Sequence, residues 1–144
     1  MNNPIAEINQ NGYFHVFFCE SVRTEINDRH TFVGIYPNNL KVKSFPHILP
    51  QLSLAATLVI PISEASNKNI SLKVLMDDKV IGSVDLNSVK NDTTVGKNNN
   101  VLEVSNLAIN GGPLEIKKPC TIKARIDIAD TSILALSELR IVQE

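Results

Sequence analysis

From Phe14 the chain alternates. Phe14, Val16, Phe18 and Val22 share one parity, with Glu20 among them, while Tyr13, His15, Phe17, Cys19, Ser21 and Arg23 share the other. A period of two marks a β-strand with one face on a core. The stretch therefore predicts a strand whose even positions point inward, with Glu20 as an intruder on that face. Asn27-Asp28 reads as a turn and Thr31 to Tyr36 as a returning strand, with Leu40 to Lys43 continuing it or adding a short one. Ser44 to Pro50, SFPHILP, carries two prolines, which remove ladder donors, so it predicts a loop or an edge crossing. Gln51 to Ile60 places Leu52, Leu54, Ala56, Leu58 and Ile60 on one parity and Ala55 and Val59 on the other, the pattern of a central strand covered on both sides.

Ser63 to Asn69 is a polar linker. Ile70, Leu72, Val74 and Met76 alternate with polar residues, and Asp77-Asp78-Lys79 turns the chain into Val80 to Leu86, which predicts a hairpin. Asn87 to Asn100 is long and polar, and would serve as a crossover between sheets. In Val101 to Ile109 the apolar parity switches from Leu102 and Val104 to Leu107 and Ile109, which calls for a bulge near Ser105-Asn106. Asn110-Gly111-Gly112-Pro113 is a turn. Cys120, Ile122, Ala124, Ile126 and Ile128 then give the cleanest half-buried strand, and after a turn at Ala129 to Ser132 the segment Ile133 to Val142 closes the domain. There is no amphipathic helical pattern and no internal repeat. Eight or nine short strands with frequent turns predict an all-β fold, a single antiparallel β-sandwich domain over residues 1–144, with a closed barrel as the alternative.

Composition narrows the functional classes. The 144 residues are one domain's worth, and a net charge of −1 with pI near 6.3 draws the body to neither a nucleic-acid backbone nor an anionic membrane. No apolar run approaches the ~18 residues of a membrane span, and the N-terminus lacks the pattern of a signal peptide, so the expected location is the cytoplasm, with Cys19 and Cys120 reduced.

Several short runs resemble an uncharacterised family of small bacterial and phage proteins. They are Phe17-Phe18-Cys19-Glu20, Val22-Arg23 and Glu25, Val33-Gly34-Ile35-Tyr36, Pro46-x-x-Leu49-Pro50, Leu114-Glu115-Ile116-x-x-Pro119, and Leu136 to Ile141. The likeness extends over most of the chain. It departs at Cys120, where the family commonly has Gly. The resemblance implies a β-sandwich and a bacterial or phage origin, and brings no catalytic residues.

The residues that look reactive have weak spacing. His15 and Cys19 lie on one face of a strand, but four residues at ~3.3 Å each put their Cα atoms about 13 Å apart, too far for a nucleophile and its base. Cys19 is expected to be a buried or half-buried thiol. Glu20, on the core parity, needs a cation such as Arg23 or Arg140, a backbone donor, or a bulge that turns it outward. The histidines and cysteines show no zinc-ligand spacing. Asp77, Asp78, Asp127 and Asp130 would make a calcium site only if they met at one end of the sandwich. Lys117, Lys118, Lys123 and Arg125 form a basic cluster without interleaved aromatics, the pattern of a solvated sheet face. No catalytic residue, metal ligand or cofactor is assigned.

Apolar residues where water is expected remain. Tyr13 and Phe17 fall on the nominally exposed parity of the first strand, and Phe45, Ile48 and Leu49 lie in SFPHILP. Such patches mark partner contacts; capping of the sandwich end is the competing account of the loop. The leading expectation is a non-enzymatic protein-interaction module, binding a protein partner or forming a homodimer, with neither nucleic acid nor membrane involved. In a phage setting the partner would be a host component. A sandwich that binds a small molecule or calcium, through the Asp77-Asp78 end or Asn87 to Asn100, is the alternative, and a hydrolase using Cys19 comes third.

Overall fold

The computed structural model describes residues 13–61, 69–86 and 101–144, so Asn87 to Asn100 and the linker between residues 62 and 68 lie outside the described residues. The described residues form twelve strands: β1 (Tyr13–Thr24), β2 (His30–Ile35), β3 (Asn39–Val42), β4 (His47–Leu49), β5 (Ser53–Pro61), β6 (Ile70–Met76), β7 (Lys79–Asp85), β8 (Val101–Asn110), β9 (Leu114–Ile116), β10 (Cys120–Ile128), β11 (Thr131–Leu134) and β12 (Leu139–Gln143). They pair into a four-stranded sheet, β2-β1-β5-β8, a six-stranded sheet built on β3-β12-β10-β6-β7 with β11 beside β10, and a β4-β9 ribbon. None of the sheets closes on itself, so the fold is a sandwich and the barrel alternative falls. The strand count exceeds eight or nine because β4, β9 and β11 hold only three or four residues, too few to display a period.

The inner faces supply one core. Phe14, Val16 and Phe18 of β1 and Leu54, Ala56 and Leu58 of β5 join Ile70 and Leu72 of β6, Ile122, Ala124, Ile126 and Ile128 of β10, and Leu139 and Ile141 of β12. Complete burial of an aliphatic side chain stabilises by about 1.5–3 kcal/mol, so β10, buried at every second residue, anchors its sheet.

Local chemistry explains the turns. Asp77 (φ 47°) and Asp78 (φ 68°) both occupy the left-handed region that a two-residue hairpin turn demands, and Asp tolerates it. Asn27 (φ 67°) does the same in the short turn Ile26–Asp28. Between β5 and β8, Ala56 pairs with Leu107 and Leu58 with Val104. Strand β8 thus uses one residue more than β5 over this interval, which is the bulge expected at Ser105-Asn106.

SFPHILP is not merely a loop. His47–Leu49 pairs antiparallel with Leu114–Ile116, and the two prolines flank the short strand rather than interrupt it, with Phe45-Pro46 in the cis form. The closing segment also differs from expectation. It splits into β11 and β12, which pair in turn with the same edge of β10, and β12 then runs parallel to β3.

The outer face of the six-stranded sheet is charged. Asp127 is bridged to Lys73 at 2.8 Å and to Arg125 at 2.8 Å, and accepts from Ser132 Oγ at 2.8 Å. Its burial opposes ionisation, but the hydrogen bonds from Lys73, Ser132 and Arg125 and the Arg125 charge outweigh that and hold the carboxyl at about 2 against an ordinary 3.8. A group with a depressed folded pKa stabilises above its unfolded value and loses that contribution as pH falls through the folded one. Asp127→Asn should therefore cost about 1–2 kcal/mol at neutral pH, screening allowed for, and should flatten the loss of stability between about pH 4 and pH 2. Urea midpoints measured across that range test this. An unchanged acid limb in the variant would count against the cluster.

Candidate interaction face

The odd residues of β1 point away from the core. Register places His15 opposite Thr57, Phe17 opposite Ala55 and Cys19 opposite Ser53, while Ala55 and Ser53 in turn face Ala108 and Asn110 of β8. Directly opposed residues share a face, so these form the outer surface of the four-stranded sheet. On it Cys19, Val22 and Ala55 make a second, small cluster, with Phe32 and Ala108 packed against it. Cys19 and Val22 are three apart in sequence yet join one cluster, so the alternation of β1 shifts between them. Opposite that shift lies Gly34, at φ 62°. A Cβ there would stand 2.8 Å from Glu20 Cδ, so the glycine makes room for the Glu20 side chain. This is how Glu20, of core parity, reaches solvent. Arg140 is not its partner, being bonded to Glu138 at 2.7 Å.

Beneath the face the backbone is locked. Asn110 Oδ1 accepts from Val22 N–H at 3.1 Å and Nδ2 donates to the Val22 carbonyl at 3.4 Å. The buried Ser53 hydroxyl lies 3.1 Å from that Oδ1 and 2.9 Å from the Glu20 carbonyl, its single proton serving one at a time. These bonds tie β1, β5 and β8 together.

Large apolar groups stand on this floor. Phe17 is 43% exposed and Ile35 56% exposed. Ile35 pairs with Cys19, which puts it diagonal to Phe17. The Phe17 ring contacts Phe32 at 6.1 Å between centroids and meets His15 edge-on at 4.5 Å. From His15 to Cys19 on β1, and at the β5 and β8 positions opposite, there is no Lys, Arg, Asp or Glu. The described surroundings of Phe17 thus contrast with the charged outer face of the six-stranded sheet.

The residues singled out in the sequence separate. Phe17 lies at the centre of the face. Tyr13 stands on the same face by register with Val59, and its side chain lies outside the described residues. Ile48 is 62% exposed, but on the β4-β9 ribbon opposite Glu115. Phe45 is half-buried against the main core, and Leu49 is within it at 2% exposure, so Leu49 is withdrawn as a contact residue. SFPHILP therefore fills the sandwich more than it offers a surface. Ile35, Phe32 and the Ala55-Ala108 floor escaped the sequence reading, because only the pairing registers of β1 with β2 and of β5 with β1 and β8 show which residues share a face with Phe17.

The other candidate chemistry disperses. Asp77 lies beside Thr121, whose N–H it accepts at 3.0 Å, whereas Asp127 pairs with Ser71 at the opposite end of the β6-β10 ladder. Six residues of strand, about 20 Å, separate the two acids, so the calcium cluster does not form. In the basic cluster Arg125 is taken up by Asp127. A cleft of about 210 Å³ opens between the sheets, lined by Phe18, Leu54, Val74, Ile81, Ile109 and Leu114, with Ser53 as a polar neighbour whose hydroxyl is already engaged. Ligand pockets usually exceed about 300 Å³ and present free polar anchors.

Cys19 is fully buried, its thiol donating weakly to the Ser21 carbonyl at 3.6 Å, and burial raises its pKa. Cys120 sits in the main core instead, its pKa raised by burial and Asp77 against the opposing effect of Lys118, and both thiols are free. Reactive cysteines need thiolate character and access. Iodoacetamide should leave both thiols unmodified in the folded protein at neutral pH and alkylate both in urea. Rapid native labelling of Cys19, mapped by mass spectrometry, would contradict this placement.

Among the described residues no helix is long and apolar enough to cross a membrane. No curated protein matches the sequence. The family of unknown function DUF6941 matches residues 15–141, from His15 on the outer face of β1 to Ile141 in the core strand β12, and the chain belongs to that family.

Proposed function

We propose that this protein is a non-enzymatic interaction module, and that the outer face of the β2-β1-β5-β8 sheet is its contact surface. The observation that carries the reading is the exposure of Phe17 and Ile35, side by side over an uncharged floor of small residues. Scattered exposed apolar residues are ordinary, but two large ones at diagonal positions on a sheet face without charged neighbours from His15 to Cys19 fit the composition of an interface core. Bacterial or phage origin and residence in the cytoplasm belong to the same proposal, supported by the family resemblance and by the reduced-thiol chemistry of two buried, unpaired cysteines. In a phage setting the target of such a module is a component of the host cell.

The test is a pull-down comparing the wild-type protein with the Phe17→Ser, Ile35→Ser double variant. Neither side chain belongs to the main core, so the variant should keep the wild-type circular dichroism spectrum, with a melting temperature lowered only by the loss of the Phe17 contacts to Phe32 and His15, while losing its specific associations. A folded double variant that retains every association would sink the assignment of this face.

A further inference from the structure

We infer that the cleft between the two sheets is a binding site for one uncharged, ring-sized apolar group. It is separate from the outer face proposed above. Phe18, Leu54 and Ile109 line it from the four-stranded sheet, Val74 and Ile81 from the six-stranded one, and Leu114 from the β4-β9 ribbon.

Volume selects the occupant. The cleft holds about 210 Å³. Pockets for drug-sized ligands and cofactors begin near ~300 Å³, whereas an apolar cavity of ~150 Å³ takes up benzene. The space therefore suits one ring with a small substituent. Chemistry selects in the same sense. No charged side chain lines the cleft, and the Ser53 hydroxyl is engaged by the Glu20 carbonyl. A charged ligand would lose its water there with no polar side chain in exchange. Val74, Ile109 and Leu114 are only partly buried, so an uncharged ring would take apolar surface out of water.

Strand β7 carries the third observation. Leu72 pairs with Val84 and Val74 with Gly82, and Leu72, Val74 and Val84 all pack in the main core. Directly opposed residues share a face, so Gly82 stands where this row calls for an apolar side chain. A glycine inside a strand weakens it and often marks the close approach of a ligand or another backbone. Nothing within the fold asks for glycine here. Its φ is outside the left-handed region, and a Cβ would meet no atom within 4 Å. Gly112 borders the same cleft and is equally unconstrained. Beside Gly82 the register shifts, because Leu75 pairs with Val80 and leaves Ile81 as the extra residue of β7. Such a bulge re-aims a side chain, and it lets Ile81 and Gly82, neighbours in sequence, border one cleft.

Titration of the isotope-labelled protein with indole and, separately, with N-acetylphenylalaninamide, followed by amide chemical shifts, tests the inference. The first probe is a free ring and the second a ring carried on a peptide unit, so the tighter binder identifies the source of the group. The expected result is saturable binding of at least one probe, insensitive to sodium chloride, with the shifts gathered at Gly82, Gly112 and Leu114. Gly82→Val should raise the dissociation constant by about tenfold or more. Its melting temperature should be kept or raised, because valine suits a strand better than glycine. Val74→Ile, one methylene larger and still β-branched, should weaken binding in the same direction with the fold retained, and it decides the matter if Gly82→Val folds poorly. Failure of both probes to saturate overturns the inference. So do shifts gathered around Phe17 instead, and binding that neither variant weakens.

Discussion

Leu49→Ser should lower the unfolding free energy by about 3–5 kcal/mol, whereas Ile48→Ser, one residue earlier, should change it by less than about 0.5 kcal/mol. The two residues are adjacent on β4 and point to opposite sides of the ribbon. Leu49 is 2% exposed and joins the core that also holds Ile116, while Ile48 is 62% exposed. Serine at position 49 leaves a cavity where an isobutyl group was and buries a hydroxyl. Urea unfolding of the two variants checks this, with equal m values showing that the comparison is one of stability. Equal costs at both positions would mean that the ribbon is not docked as described. The outcome bears on function as well. Weaker binding after replacement of Leu49 would report unfolding, and only Phe17 and Ile35 can be altered to probe the surface itself.

A second adjacent pair should behave in the same divided way. Gly111→Ala should destabilise by about 2–3 kcal/mol, and Gly112→Ala should be neutral or slightly stabilising. Gly111 N–H donates to the Leu52 carbonyl at 2.9 Å, and a Cβ on Gly111 would run into that same oxygen. The obstacle is backbone at the entry of the central strand β5, so it cannot swing aside as a flexible side chain would. Around Gly112 there is open space within 4 Å, so a methyl group there only reduces the freedom of the unfolded chain. Thermal unfolding of both variants distinguishes the two positions. A tolerant Gly111 would mean that the bond to Leu52 does not hold the turn. The cost at Gly111 should also be felt at the outer face, because Asn110, its neighbour, supplies the bonds to Val22 and Ser53 that keep β1, β5 and β8 in register.

The face around Phe17 was half visible before any tertiary contact was considered. The parity of β1 is enough to place Tyr13, His15 and Phe17 opposite Phe14, Val16 and Phe18. What parity cannot supply is the covering layer. Leu49 and Phe17 look alike in sequence, two apolar residues in doubtful surroundings. One is closed off within the main core, and the other lies outside it and stays 43% exposed. Ile35 could not be assigned to that side at all. Its position depends on the β1–β2 register that pairs it with Cys19, and a register change of one residue exchanges the two faces of a strand. Whether the acids meet at one end is settled in the same way, since Asp77 and Asp127 belong to opposite ends of one ladder and only register reveals it.

Sequence alone determined what is local here. The longer strands, the Asp77-Asp78 hairpin, the break at Asn110 to Pro113 and the bulge at Ser105-Asn106 follow from period two and from residues that accept or force particular backbone angles, and those preferences act over a few neighbouring residues. The tertiary structure decided what is shared between distant segments: the ribbon that takes Leu49 into the core, the carbonyl that requires glycine at position 111 and not at 112, and the pairing that puts the exposed Ile35 on one face with Phe17. Burial is a property of two surfaces, and one strand's sequence describes only its own.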